Sequence, residues 1–514
     1  MKNWMPITLP EIVFMNISRE LHNQSKINGD KLFITDLGTD FTYGEAEKLV
    51  AQCAAMLHNL GLTKGDRVAT QLFNSIDFVV IYNAVIRLGG IIVPIGFTLK
   101  TREVEEILND CQPTIFIRHH SITQNPEQRI QFDTNTIIIE DEQLVQNGTW
   151  SFLQTAAHEG IVDVSDDTPL GILYSSGTTG EAKGVLLSHN NIRTNMEAAK
   201  TCYEITPLDR TVLFLPLSHC FGLNAILNCI TCAGASMIIM RKFSPPALLD
   251  ILQRDTITMF FAVPFIYNLL LKDLTDDSVF DNTIYFFSAA SKLALETEIS
   301  WENRFNRPIY QGYGLTETSP FATYVPRGKY YPGSIGIPVA NVTIAITDEM
   351  HQQVPVNTVG EIAIKGPNVM LGYYNKPELT NQVLIDGWFY SGDVGMYDEN
   401  GLLYIVDRIK DMVIVKGENV YPSELENIIL ELPYVDEVAV YGIPDTLSEE
   451  KVRARIVLKK DVTANEEDII QHCKKNLAPF KVPSVVRFVS SIPKSPSGKV
   501  LKRLLREEDM ASRN

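Results

Sequence analysis

YSSGTTGEAKGVLLSH (174–189) follows the short apolar run GIL (171–173) and, between Ser175 and Lys183, gathers two glycines, four hydroxyl side chains and a lysine. Gly177 and Gly180 permit tight turns and close backbone approach, Ser175, Ser176, Thr178 and Thr179 add hydroxyl donors, and Lys183 supplies charge. A strand that runs into such a loop is suited to wrapping phosphates. It is not a Walker loop, because no glycine pair has the required spacing before Gly-Lys-Ser or Gly-Lys-Thr.

Upstream, EAEKLVAQCAAMLHNLG (45–61) carries apolar residues at helical spacing and ends in glycine. DRVATQL (66–72) reads as a strand and SIDFVVIYNAVIRLGG (75–90) as a second helix. The alternation continues through GIIVPI (90–95), TIFI (114–117), TIIIE (136–140), TVLFLP (211–216) and TMFFAV (258–263), which predicts parallel sheets in an α/β architecture. GGIIVPI (89–95) and ASMIIM (235–240) are short and β-branched, as strands buried on both faces are.

After residue 330 the pattern changes, and GEIAIKG (360–366) and GLLYIVDR (401–408) read as shorter strands of a β-rich subdomain. The remainder alternates SELENIILEL (423–432), EVAVYGIP (437–444), VRARIVLK (452–459) and EEDIIQHCKKNL (466–477), enough for a small α+β domain. The expected organisation is a large N-terminal domain, 1–406, of parallel-rich sheets flanked by helices plus the β-rich subdomain. A small mobile α+β C-terminal domain, 407–514, follows, with the hinge between Asp407 and Lys416.

Charge agrees with two units. The 45 basic and 62 acidic residues leave −17 overall, yet from Asp407 onward 18 basic residues balance 18 acidic ones. The excess negative charge argues against broad capture of nucleic acid or an anionic membrane, so a phosphate site must be local. Seven scattered cysteines show neither zinc spacing nor a disulfide framework and read as buried structural thiols of a reducing compartment. MKNWMPITLPEIVF lacks a secretory signal, and no run of about 18 apolar residues offers a span, so a soluble, cytoplasmic protein is expected.

Three further segments carry chemistry. QGYGLTET (311–318) sets Tyr313 between Gly312 and Gly314 and then a Thr-Glu pair, so a purine could stack while Thr316 touches phosphate and Glu317 holds Mg²⁺. WFYSGDVG (388–395) offers Asp393 beside glycine, a carboxylate suited to accepting two ribose hydroxyls. IPKSPSGKVLKR (492–503) presents Lys499 on a Pro/Ser/Gly loop, where a mobile cation could be carried to a reacting carboxylate and phosphate.

In this order the segments resemble the adenylate-forming superfamily of acyl-CoA synthetases, nonribosomal-peptide adenylation domains and luciferases, over essentially the whole chain. LPLSHCFGL (215–223), GSIGIP (333–338), GEIAIKGPNVMLGYYNKPELT (360–380), YIVDRIKDMVIVKGENVYPSELE (404–426) and LAPFKVP (477–483) also match. The resemblance implies that Ser175 to Lys183 bind the triphosphate, that Ala289, Ala290 and Gln311 to Gly314 frame adenine, and that Thr316 and Glu317 serve phosphate and Mg²⁺. It gives Asp393 and Arg408 to the ribose, Lys499 to adenylation, Lys410 to the hinge, and Lys242, Lys416 and Gly417 to CoA. His219 would stand at the junction of acyl pocket and thiol tunnel as a gate, with Phe221, Ala225 and Phe321 as further lining. The chain departs from the common pattern at Ala182 and at Lys292, where proline is usual, and at Ser448, where glycine is.

The implied reaction activates a carboxylic acid with ATP and Mg²⁺ to an acyl-adenylate and passes the acyl group to coenzyme A. FGLNAIL (221–227) lacks the aspartate that would pair an α-ammonium, so an unsubstituted apolar acid is expected, a medium- or long-chain fatty acid foremost. The alternatives are a stand-alone ligase loading the phosphopantetheine of an acyl carrier protein, and a catalytically silent nucleotide-binding protein. Lys242 and Lys416 favour the nucleotide phosphates of CoA, and intact Thr316, Glu317, Asp393 and Lys499 speak against silence.

Overall fold

The computed structural model describes residues 16–123, 130, 136–140, 145–146, 149–150, 156–176, 182–445, 448–494 and 500–511, with the backbone alone at 123, 145–146, 149–150, 175–176 and 182. Gly177, Thr178, Thr179, Gly180 and Lys499 lie outside the described residues.

Among the described residues two large sheets organise the N-terminal part. The first runs Gly372–Tyr373, Ala182–Ser188, Pro169–Ser176, Ile91–Pro94, Arg67–Gln71, Ile115–Arg118 and Ile137–Glu140. Its last five strands are parallel. The second has parallel strands Leu32–Asp36, Ser236–Ile239, Arg210–Leu213, Met259–Ala262, Tyr285–Ser288 and Ile309–Gly314, with antiparallel strands at both edges. The helices begin where the sequence provides caps. Thr42 and Glu45 form a capping box for Tyr43–Asn59, and Ser75 accepts the Phe78 N–H to start Ile76–Arg87. The second of these helices is apolar on nearly all sides and is correspondingly buried, apart from Asp77.

The β-rich subdomain is antiparallel: Thr343–Thr347, Gly360–Lys365, Trp388–Tyr397 and Leu403–Arg408 pair in turn. A short 3₁₀ turn, Ile409–Asp411, leads into the last unit. There Glu418–Val420, Val413–Val415, Glu449–Leu458 and Val435–Asp445 form a sheet to which Val485–Phe488 adds in parallel. The helices Pro422–Leu430, Glu466–Asn476 and Lys502–Ala511 accompany it. The apolar clusters divide the same way, one running from Ile17 to Leu403 and others lying between Val413 and Leu505. No helix among the described residues is long and apolar enough to cross a membrane.

Candidate active site

The phosphate-loop candidate sits on a hairpin. Pro169–Ser176 and Ala182–Ser188 pair antiparallel with Lys183 opposite Ser175, so the two arms deliver both ends of the loop to one place. The far arm carries on to Gly372–Tyr373, where Val185 faces Tyr373. The Lys183 ammonium stands 5.7 Å from the centre of the Tyr373 ring, and the Tyr373 hydroxyl donates to Glu317 Oε1 at 2.8 Å. Lysine and carboxylate, far apart in sequence, thus meet through one tyrosine. Burial, and then Glu317, hold the Tyr373 phenol above its ordinary range, so it remains a donor.

Glu317 is placed by the end of Ile309–Gly314. A Cβ on Gly314 would lie 1.5 Å from the Pro320 carbonyl oxygen, so only glycine allows the chain to cross there before the turn Thr316–Thr318. Leu315 N–H donates to Thr318 Oγ1 and Met370 N–H to the Glu317 carbonyl, both at 2.9 Å, which fixes the turn from either side.

On the same strand Tyr313 is buried, and its hydroxyl donates to Asp393 Oδ2 at 2.8 Å. Arg408, opposite Asp393 in the antiparallel register, donates from Nε to Oδ1 at 2.7 Å. Asp393 is 3% exposed, and each oxygen of an ionised carboxylate still has a lone pair to offer a further donor. Burial, and then Asp393, push the Tyr313 phenol well above its usual value.

Lys410 keeps accessible surface while the surrounding protein lowers its pKa by desolvation; Arg408 and Lys183 act in the same direction, Asp411 and Asp393 against it. Lys410 therefore feels the charges of both Arg408 and Lys183, a local concentration of positive charge in an acidic chain.

Ala289 and Ala290 follow Tyr285–Ser288 at the carboxyl edge of the parallel strands, where open α/β sheets bind ligands, and Ala290 holds φ +74°. Gln311 lies opposite Ser288, and its side chain donates to Glu298. Lys292 points to the hinge side: its ammonium donates to the Val406 carbonyl at 3.5 Å. Desolvation lowers its pKa against the pull of Asp407 and Glu426.

His219 is likewise exposed, while the protein around it lowers its imidazole pKa by desolvation. Its loop is pinned by Asn74, which donates to the Leu215 carbonyl and accepts from Leu217 N–H, each at 2.9 Å. LSHCFGL then continues as a π-helix, Phe221–Asn228, which no sequence periodicity announced. Phe221 is half-buried and meets Phe287 edge to face at 6.1 Å. Phe287 meets Phe321 at 5.9 Å. Ala225 and Phe321 are buried, 2% and 3% exposed.

The three expected CoA residues divide between the two parts of the chain. Lys242 is exposed just beyond Ser236–Ile239. Lys416 and Gly417 form the exposed tip of the hairpin Val413–Val415/Glu418–Val420 with φ +54° and +79°. Gly417 N–H donates to Glu449 Oε2 at 2.8 Å, and Lys416 N–H donates to the carbonyl of the buried Ser448. A left-handed lysine costs about 1 kcal/mol.

Sequence reading missed Tyr373, Asn74 and Glu298. Tyr373 stood inside the quoted block 360–380, but nothing local distinguishes a tyrosine that bonds a distant carboxylate from one that packs. Asn74, beside the strand 66–72, could have been flagged as a polar residue bordered by apolar runs.

Among the described residues no three His, Cys, Asp or Glu side chains gather as a metal cage. That donor set fits Mg²⁺ held by a single carboxylate, Glu317, with Thr316 and substrate phosphates completing its shell.

Comparison with known proteins agrees in extent. The family model described as AMP-binding enzyme matches residues 21–374, and that of the AMP-binding enzyme C-terminal domain matches 424–499. The long-chain-fatty-acid–CoA ligase of Yersinia pestis is 33% identical, over 94% of this chain and 92% of that protein. That of Bacillus subtilis strain 168 is 33% identical, over 93% and 92%. Crystal structures of MatB from Rhodopseudomonas palustris, 32% identical over 96% of this chain and 98% of that one, superpose with TM-scores of 0.90 for the ATP-bound form and 0.80 for the apo form. The anthranilate CoA ligase AuaEII in complex with anthranoyl-AMP is 25% identical, covers 98% of this chain and 99% of that one, and superposes with a TM-score of 0.88.

Proposed function

We propose, for a chain that belongs to the AMP-binding enzyme family and within it to the adenylate-forming acyl-CoA synthetases, that the Asp393 cleft activates an apolar carboxylic acid for transfer to coenzyme A. The observation that carries the reading is the convergence of Tyr313, Arg408 and Lys410 on Asp393, with Lys183 and Glu317 joined beside them through Tyr373. Asp393 accepts the ribose hydroxyls, and Tyr313, its hydroxyl anchored, keeps its ring fixed against the nucleotide. Lys183 and Lys410 attract the triphosphate, and Lys499 joins them for the first step.

A carboxylate is a poor acyl donor because its leaving group would be oxide, and its charge repels the triphosphate. The cleft answers with screening and in-line positioning. The carboxylate oxygen attacks the α-phosphorus, the bond to the bridging oxygen breaks, and pyrophosphate leaves. The thiolate of CoA then attacks the acyl carbonyl and AMP departs. Bound Mg²⁺ would neutralise phosphate charge. His219, held in its neutral form by desolvation, gates the passage between acyl pocket and thiol. Residues 1–406 and 407–514 act as separate units, and the second turns about Lys410 between the steps, with Lys242, Lys416 and Gly417 meeting CoA.

For the acyl group we favour a medium- or long-chain fatty acid, supported by the absence of an acidic residue over 221–227 and by the named activities of the fatty-acid ligase relatives. The edge-to-face row Phe221, Phe287 and Phe321 favours a second reading, an aryl acid. ATP-dependent thioester formation over a panel of saturated acids, benzoate and anthranilate, run with CoA and with a holo-carrier protein, decides between them. Rates rising with chain length and dependent on CoA are expected; exclusive use of aryl acids or of the carrier would overturn the fatty acyl-CoA assignment.

A further inference from the structure

One buried acid ties together both partners of Asp393. Glu298, on the helix Leu295–Phe305, is 1% exposed, and its Oε2 accepts two hydrogen bonds at 2.9 Å. One comes from Gln311 Nε2, two residues before Tyr313 on the same strand. The other comes from the backbone N–H of Gly333, in the segment GSIGIP. That segment runs on to Ile335, whose N–H donates to the Leu403 carbonyl, and to Gly336, whose carbonyl accepts the Leu403 N–H, each at 2.9 Å. Leu403 opens the strand Leu403–Arg408. A single carboxylate oxygen therefore joins the strand that presents Tyr313 to a loop that pairs with the strand presenting Arg408.

We propose that Glu298 is a positioning residue for nucleotide binding, its ionised carboxylate holding the Tyr313 strand and the loop beside the Arg408 strand in register around Asp393. The inference rests on Asp393 being the ribose carboxylate. An ionised acceptor makes shorter and stronger hydrogen bonds than a neutral one, so the tie is tight when Glu298 is charged and slack when it is protonated. Burial pushes the Glu298 carboxyl up to about 7, against the pull of the Gly333 N–H and the Gln311 amide. Glu302, one turn further along the helix, pushes it the same way as burial. Tyr330, from the segment ahead of Gly333, faces both acids. Its own phenol is pushed up to about 12 by burial, Glu298 and Glu302, so it stays neutral throughout. The strand Ile309–Gly314 contributes the uncharged Gln311. The brace thus tightens as pH rises through neutrality.

The test is the KM for ATP in pyrophosphate exchange, measured between pH 5.5 and 8.5 for the wild type and Glu298→Gln. The ratio of the two values cancels the titration of ATP itself. Replacing a charged acceptor by a neutral one is expected to raise KM about tenfold at pH 8.5, with the ratio falling toward one at pH 5.5. A ratio independent of pH, whatever its size, would overturn the proposal, because a merely structural loss carries no inflection. Gln311→Met, which removes one donor and keeps the volume, must raise KM at pH 8.5 and flatten the profile. It decides the matter if Glu298→Gln does not fold, and an unaltered profile in it would also count against the tie. Failure of the wild type to exchange at all would strike at the adenylation reading instead.

Discussion

The clasp around Asp393 and the seam between the two parts of the chain are built in opposite ways. At the clasp both carboxylate oxygens are bonded, Asp393 and Tyr313 are buried, and four strand pairings fix the register. At the seam the ion pair Lys272–Asp436 spans 3.6 Å between largely exposed side chains, and Lys494 lies 5.4 Å from the exposed Phe265 ring. Exposed pairs of this kind contribute about 0–1 kcal/mol. Under the proposed mechanism the grip on the nucleotide, the same in both half-reactions, would fall to the buried clasp, and the part that must differ would rest on contacts that cost little to break.

Lys499→Ala gives the largest expected effect. Adenylation should slow by about a thousandfold, the typical loss when a charge aimed at the transition state is removed. Thioester formation from supplied acyl-AMP should survive. Measured separately, equal losses in both half-reactions would dissolve the division between the two regions. Asp393→Asn comes next. It leaves Arg408 without its carboxylate partner and is expected to raise KM for ATP about a hundredfold, as truncating a buried charged pair does. Saturation kinetics of exchange would read this, and a change under threefold would mean that the clasp does not hold the nucleotide.

The clasp was the more legible of the two regions. Asp393, Tyr313 and Glu317 stood in quoted motifs near glycines that permit close approach, as Gly314 does against Pro320, whereas Arg408 was singled out only by the family resemblance. The alternation of apolar runs foretold many of the parallel strands, since strands covered on both faces must be continuously apolar, but not Leu32–Asp36, Tyr285–Ser288 or Ile309–Gly314. Long-range partnerships were illegible: Tyr373 with Glu317, Asn74 with the His219 loop, and Glu298 with Gly333 depend on which side chains the topology brings face to face. The π-helix Phe221–Asn228 was illegible for another reason, being a local underwinding to i→i+5 bonds that leaves no period in so short a run.

Two smaller perturbations address the seam. Lys410→Pro fixes φ at the pivot and should spare adenylation while slowing thioester formation at least tenfold, the reverse of Lys499→Ala. Equal slowing of both steps would place the pivot elsewhere. Lys416→Ala should raise KM for CoA severalfold, as loss of an exposed phosphate contact does, with exchange carried on. CoA kinetics unchanged in both Lys416→Ala and Lys242→Ala would point to a carrier protein as acceptor. Asp436→Ala should be nearly silent, shifting stability by less than about 1 kcal/mol in denaturant titration; a large loss would show the seam to be firmer than its contacts.

The central claim, that the acid is activated at the α-phosphate before any thiol enters, is tested most directly by following labelled pyrophosphate into ATP with acid and Mg²⁺ present and CoA absent. Carboxylate-dependent exchange, with AMP and pyrophosphate as the products once CoA is added, is the predicted result. Release of ADP and phosphate, or exchange that requires CoA, would contradict it.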